Sequence, residues 1–182
     1  MRPRPLRLFA LSGSLRAASS HTAALWALAR LAPPEVSVVV YQELGELPPF
    51  NPDLDGEGAE PPPVVARLRS HIRRAHGLLL TSPEYAHGVP GVLKNALDWL
   101  VSSTDLPGKP VALLNLTPSS VHVHASLCEI LRTMSVALEE GGALTVPIPR
   151  RKLDTATMLA DPEISLALKE ALAVLIRAVE GG

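Results

Sequence analysis

The residues best equipped for chemistry lie near the amino terminus, in Ser12-Gly13-Ser14-Leu15-Arg16-Ala17-Ala18-Ser19-Ser20-His21. Small hydroxylated side chains surround a single arginine there. An apolar run precedes them (Leu6, Leu8, Phe9, Ala10, Leu11), and Ala24, Leu25, Leu28 and Leu31 follow at helical spacing. A strand, a tight polar loop and a helix in that order leave backbone N–H groups without partners at the helix start, aimed at the loop. With the helix dipole they make a seat for a phosphate-sized anion. Ser14, Ser19 and Ser20 add hydroxyl donors, and Arg16 adds a forked cationic contact. One hydroxyl is enough to cap a helix. Three of them beside an arginine point to an anion.

The common phosphate motifs do not account for this loop. No Gly-Lys-Ser/Thr follows at the Walker A distance. Gly13 stands without the two further glycines that let a backbone approach a pyrophosphate. The Gly-x-Ser-x-Gly nucleophile elbow is missing as well. Hydroxyls and one cation suit a single terminal phosphate, such as the monoester that FMN carries.

Two more polar loops follow apolar runs of strand length. Ser82-Pro83-Glu84-Tyr85-Ala86-His87-Gly88-Val89-Pro90 comes after Gly77–Thr81, and Thr117-Pro118-Ser119-Ser120-Val121 after Val111–Leu116. The former has consecutive backbone N–H and C=O groups to offer the edge of a flavin ring, and Pro90 stands at a helix start whose positive end points the same way. Pro and Gly equally serve simply to turn a chain here.

The elements that must position these loops alternate. Strands are expected at Leu6–Leu11, Val36–Val40, Gly77–Thr81, Val111–Leu116 and Leu144–Val146. Between them, helical spacing runs through Val65, Leu68 and Ile72, through Gly91–Val101, and through Leu127, Ile130, Leu131, Met134 and Leu138 up to Gly141-Gly142. In the Gly91–Val101 helix, Lys94, Asn95 and Asp98 are expected outward. A last helix carries Ile164, Leu168, Leu172, Leu175 and Val179. Five alternations imply a parallel sheet with helices on both faces. In such sheets ligands sit beyond the carboxyl ends of the strands, where all three polar loops fall. Gly45–Pro63, proline-rich and acidic, reads as a long surface connection without helix or strand.

Composition bounds the answer. A chain of 182 residues, 47 % hydrophobic, is long enough for one domain with a sizeable core, so residues 1–182 read as a single unit. A net charge of −1 argues against a nucleic-acid partner, and Arg67, Arg69, Arg73 and Arg74 read as the solvated face of one helix. Cys128 is the only cysteine, so no intrachain disulfide forms, and its apolar surroundings favour packing over chemistry. No apolar run approaches the length of a membrane span, and the apolar run behind the basic amino terminus is too short for a signal sequence. No membrane partner and a cytoplasmic location are therefore expected. His122 and His124, two apart, diverge on a strand or helix without a Cys or carboxylate cluster, so no metal site is expected.

Gly13-Ser14-Leu15-Arg16-Ala17-Ala18-Ser19, Pro83-Glu84-Tyr85 and Pro90-Gly91-Val92-Leu93-Lys94-Asn95-Ala96-Leu97-Asp98-Trp99 together resemble the signature blocks of the NADPH-dependent FMN reductase family, which includes flavodoxin-like quinone, azo-dye and chromate reductases. The resemblance runs over nearly the whole chain. It implies an α/β flavodoxin-like three-layer sandwich with a five-stranded parallel sheet in the order 2-1-3-4-5, bound FMN, and hydride transfer from NADPH or NADH through FMN to an acceptor. Quinones, azo compounds, free flavins and metal oxyanions are the acceptor classes. It also implies phosphate contacts from Ser14, Arg16, Ser19 and His21, and ring contacts from Pro83, Glu84, Tyr85, Ala86 and His87. Ser20 joins the first set through its hydroxyl, and Thr117 and Ser119 are the candidates of the third loop. Three departures stand out: His21 where the family usually has Asn, Ala86-His87 where it has Asn-Gly, and Thr117-Pro118-Ser119-Ser120-Val121-His122 where it has a serine and a glycine pair.

In a flavoenzyme the cofactor carries the redox chemistry, so no obligatory acid or base is assigned. His87 is a candidate donor to the ring or to an incoming quinone oxygen, since imidazole changes charge near neutral pH. The alternative function is a flavodoxin-type electron carrier without its own nicotinamide reaction; Arg16 and the near-zero net charge depart from that pattern. A receiver domain would need acidic residues where Ser12-Gly13-Ser14 stands. A site on a sheet edge is shallow, so a homodimer or homotetramer is expected to cover it, with Trp99 and Leu100 either at that interface or packed internally.

Overall fold

The structure, a computed structural model, describes residues 5–56, 58–138, 144–146, 148 and 153–181. Strand β1 (Leu6–Ser12) lies between β2 (Val36–Val40) and β3 (Gly77–Thr81); β4 (Pro110–Asn115) follows β3, and every pairing is parallel. The order 2-1-3-4-5 implied by the family resemblance is the order observed.

Side-chain alternation along β1 builds the layers. Phe9 and Leu11 pack with helices α2 (Pro63–Arg74), α3 (Gly91–Asp98) and α4 (Val121–Thr133) on one face. Leu8 and Ala10 pack with α1 (Ser20–Leu31), α5 (Thr155–Ala160) and α6 (Pro162–Gly181) on the other. β3 is buried along its whole length, as a central parallel strand must be.

The edge of the sheet differs from expectation. Two short strands, β5 (Ala137–Leu138) and β6 (Leu144–Thr145), share it, the first pairing with the start of β4 and the second with its end. Leu138, expected on the helix, belongs to β5. The helix α4 stops at Thr133 because Ser135 takes a left-handed conformation (φ 57°), and its N–H and that of Val136 return to the carbonyls of Arg132 and Leu131. These two bonds form a Schellman stop. The Gly141-Gly142 stop expected from sequence lies outside the described residues.

The Gly45–Pro63 connection contains two single 3₁₀ turns and is tied down. The indole Nε1 of Trp99 and the amide Nδ2 of Asn95 both donate to the Pro48 carbonyl, and Phe50 N–H donates to Asn95 Oδ1 at 2.7 Å. Asn95 therefore turns to the connection, against expectation: the half-buried Pro48 carbonyl and Phe50 N–H packed over α3 need a hydrogen-bonding partner, and the amide supplies it. Arg69 likewise leaves the solvated face to pair with Asp55, itself nearly buried, while Arg67 pairs with Glu43 and Arg73 with Asp105. Trp99 and Leu100 are fully buried within the chain, which settles their role as internal packing and removes them as interface residues.

Candidate functional site

Ser12, Thr81 and Asn115 end the three central strands, and the loops that follow meet around one cleft of about 710 Å³. Ser14, Arg16, Ser19, Ser20 and His21 line it from the first loop and helix start, Pro83 and Tyr85 from the second, and Thr117, Pro118 and Ser119 from the third. The close meeting of the first two loops depends on Gly13. An added Cβ there would stand 2.7 Å from Ser82 Oγ and 3.1 Å from a Leu93 methyl.

Local hydrogen bonding explains the first loop. Ser12 Oγ accepts from Ser14 N–H and from the Thr22 hydroxyl, which folds the turn back on the helix it precedes. Ser19 is the N-cap of α1, its Oγ accepting from Thr22 N–H, so this hydroxyl serves the helix. Among the described residues, the N–H groups of Ser20 and His21 have no protein acceptor and stand at the positive end of α1. Arg16 is exposed beside them. Ser20 Oγ accepts from Leu153 N–H at 3.0 Å and keeps its own proton to donate.

His21 lines the cleft with its Nδ1 held 2.8 Å from Thr81 Oγ1. Burial lowers its pKa to about 4, so the ring is neutral at physiological pH. The contact holds the ring in place whichever of the two groups donates.

In the second loop, Tyr85 and Gly88 exchange backbone hydrogen bonds around Ala86 and His87, which both have positive φ (48° and 56°). This is a two-residue turn of the I′ kind, for which Asn-Gly is the preferred pair. Glu84 faces away from the cleft. Its Oε2 accepts from the N–H groups of His122 and Val123, capping α4, whose own Ser120 provides no side-chain cap. His87 also lies off the cleft wall, its ring stacked on His122 with centroids 4.3 Å apart. In the third loop Pro118 occupies the second position of a Thr117–Ser120 turn closed by a 2.8 Å bond, a position proline favours.

Comparison with known proteins places this architecture. A sequence model described as NADPH-dependent FMN reductase matches residues 6–147, from the first strand to the end of the sheet. The chain belongs to the NADPH-dependent FMN reductase family. It is 40 % identical over 111 residues to an NAD(P)H-dependent FMN reductase of Pseudomonas aeruginosa, covering 60 % of this chain and 58 % of that protein. It is 37 % identical over 110 residues to a quinone reductase of Escherichia coli K12, covering 59 % and 58 %. The chain thus spans under three-fifths of the length of these two relatives. In structure it matches a flavoenzyme NAD(P)H:(acceptor) oxidoreductase from Paracoccus denitrificans with a TM-score of 0.70, 22 % identity and coverage of 97 % and 98 %. It also matches a flavodoxin from the domain Archaea with a TM-score of 0.60, 11 % identity and coverage of 95 % and 99 %, and the fold is flavodoxin-like.

For this FMN reductase family member, the departures noted in the sequence acquire physical content. Asn-Gly at Ala86-His87 matters through backbone conformation, since both residues sit in the left-handed region. Sequence reasoning missed the Glu84 cap and the His87–His122 stack because their partners lie more than 30 residues away on another loop. No local periodicity signals such a pairing.

Proposed function

We propose that the protein is an FMN-dependent oxidoreductase of the cytoplasm that takes hydride from NADPH or NADH and passes reducing equivalents to a quinone, azo compound, free flavin or metal oxyanion. The observation that carries this reading is the cleft itself. Two free N–H groups at the positive end of α1, the Ser20 hydroxyl and the exposed Arg16 converge at one end, and the second and third loops form walls beyond it. Its volume is in the range of cofactor sites. These donors fit a dianionic phosphate monoester and have no other acceptor among the described residues.

In this reading Ser20 N–H, His21 N–H and Arg16 hold the phosphate, and the neutral His21 ring, fixed by Thr81, lines the cleft beside them. Pro83 and Tyr85 face the ring's place, with Thr117 and Ser119 opposite. Bound FMN supplies the hydride acceptor and donor; the chain binds it, orients it and keeps both substrates on one exposed face. Glu84 acts at one remove, by fixing the second loop to α4. Relatives named as reductases support this reading over an electron carrier. An open cleft with Tyr85 and Val121 exposed nearby supports a second copy as its cover, in a homodimer or homotetramer.

The test is reduction under anaerobic conditions. FMN bound to the purified chain is expected to lose its yellow absorbance when NADPH or NADH is added, and to regain it on addition of a quinone. Bound FMN that neither nucleotide bleaches would remove the reductase assignment.

A further inference from the structure

We propose that Glu84, His87 and His122 form a binding site for a divalent zinc-type metal ion, which ties the second loop to the start of α4 beside the cleft. One donor atom from each of the three side chains lies within 4.8 Å of the others. Zinc bonds of about 2.0–2.1 Å at tetrahedral angles require donors roughly 3.4 Å apart. Side-chain rotation closes that difference, because both imidazoles are exposed and unhindered on their outer sides. Their rings lie nearly parallel, at 19°, with centroids 4.3 Å apart, so the two imidazoles are already neighbours.

The donor set decides the ion. Two imidazole nitrogens and one carboxylate oxygen suit zinc and its first-row neighbours, with a water in the fourth position, whereas magnesium and calcium take oxygen ligands. Glu84 is held for the task. Its Oε2 is fixed by two backbone N–H groups at 2.9 and 3.0 Å, and among the described residues Oε1 has no partner and no Lys or Arg pairs with the carboxylate. Such outer hydrogen bonds orient a ligand before the ion arrives. His124 takes no part; its Nε2 faces Cys128 Sγ at 3.5 Å. The site draws only on these three side chains and does not depend on the cofactor reading.

The experiment is calorimetric titration of the tag-free, chelator-treated chain with zinc chloride. One ion per chain is expected to bind and to raise the melting temperature. His87→Ala and His122→Ala should each weaken binding at least about tenfold, given what ligand-shell changes cost. His124→Ala should bind as the wild type does, and excess magnesium should not displace the ion. Circular dichroism confirms that each variant is folded, with His122→Gln replacing His122→Ala if the latter is not. The absence of one-to-one binding, affinity unmoved in both the His87 and His122 variants, or displacement by magnesium would overturn the site.

Discussion

His21 joins fold stability to the cleft at the level of one residue. Its ring is neutral because burial lowers its pKa to about 4, whereas in the unfolded chain it titrates near its ordinary value of 6.5. Between those values the unfolded chain takes up a proton that the folded chain refuses. The stabilisation is therefore complete above the unfolded value and is lost as pH falls through the window. Urea unfolding should show a loss of about 2 kcal/mol from about pH 7 to about pH 5 that His21→Asn removes. An equal pH slope in the variant would mean that the imidazole is not buried as described. The family resemblance pointed to this position as a phosphate contact. Its neutral state was not legible, because Thr81, which holds the ring, lies 60 residues away on another strand.

Elements were legible where their period was strong and their stops were glycine or proline. The buried run of β3 and the seam of α6 stand in the sequence as they stand in the structure. The end of α4 was not, because its left-handed stop is Ser135, and serine gives no such signal. The inward turn of Asn95 was hidden for a related reason: polarity on a helix suggests solvent unless the backbone it must satisfy is known. The second loop shows the same thing as strain. Ala86, at φ 48°, occupies a conformation that costs an L-residue with a Cβ roughly 1–2 kcal/mol. Ala86→Asn, which tolerates that region and matches the usual residue of this turn, is expected to raise stability by about 0.5–1 kcal/mol. A shift of the urea midpoint to higher concentration with an unchanged slope checks it, and a lower midpoint would contradict the turn geometry.

Across the whole molecule, alternation implied a parallel sheet covered on both faces and right-handed crossovers left few arrangements, while the strand order itself came from the family resemblance. The cleft's position followed from topology, at the carboxyl ends of β1, β3 and β4. What covers the cleft did not follow. Trp99 and Leu100 were open to either an interface or internal packing, and both are buried, with Phe50 packed edge-on against Trp99. Tyr85, 55 % exposed at the cleft wall, is the residue through which the proposed second copy is expected to make contact. Sedimentation at micromolar concentration is expected to show a dimer or tetramer, and Tyr85→Glu to shift it towards monomer. A wild-type monomer would leave the cleft uncovered.

All of this rests on the first loop gripping a phosphate. The most direct measurement compares FMN with riboflavin, the same molecule without the phosphate, by flavin fluorescence on titration with wild type and Arg16→Ala. The wild type is expected to prefer FMN strongly, and Arg16→Ala to lose much of that preference, by about 1.5–3 kcal/mol for a charge-assisted contact, while riboflavin binding hardly changes. Equal affinity of the wild type for FMN and riboflavin, or a preference that Arg16→Ala leaves intact, would contradict the account.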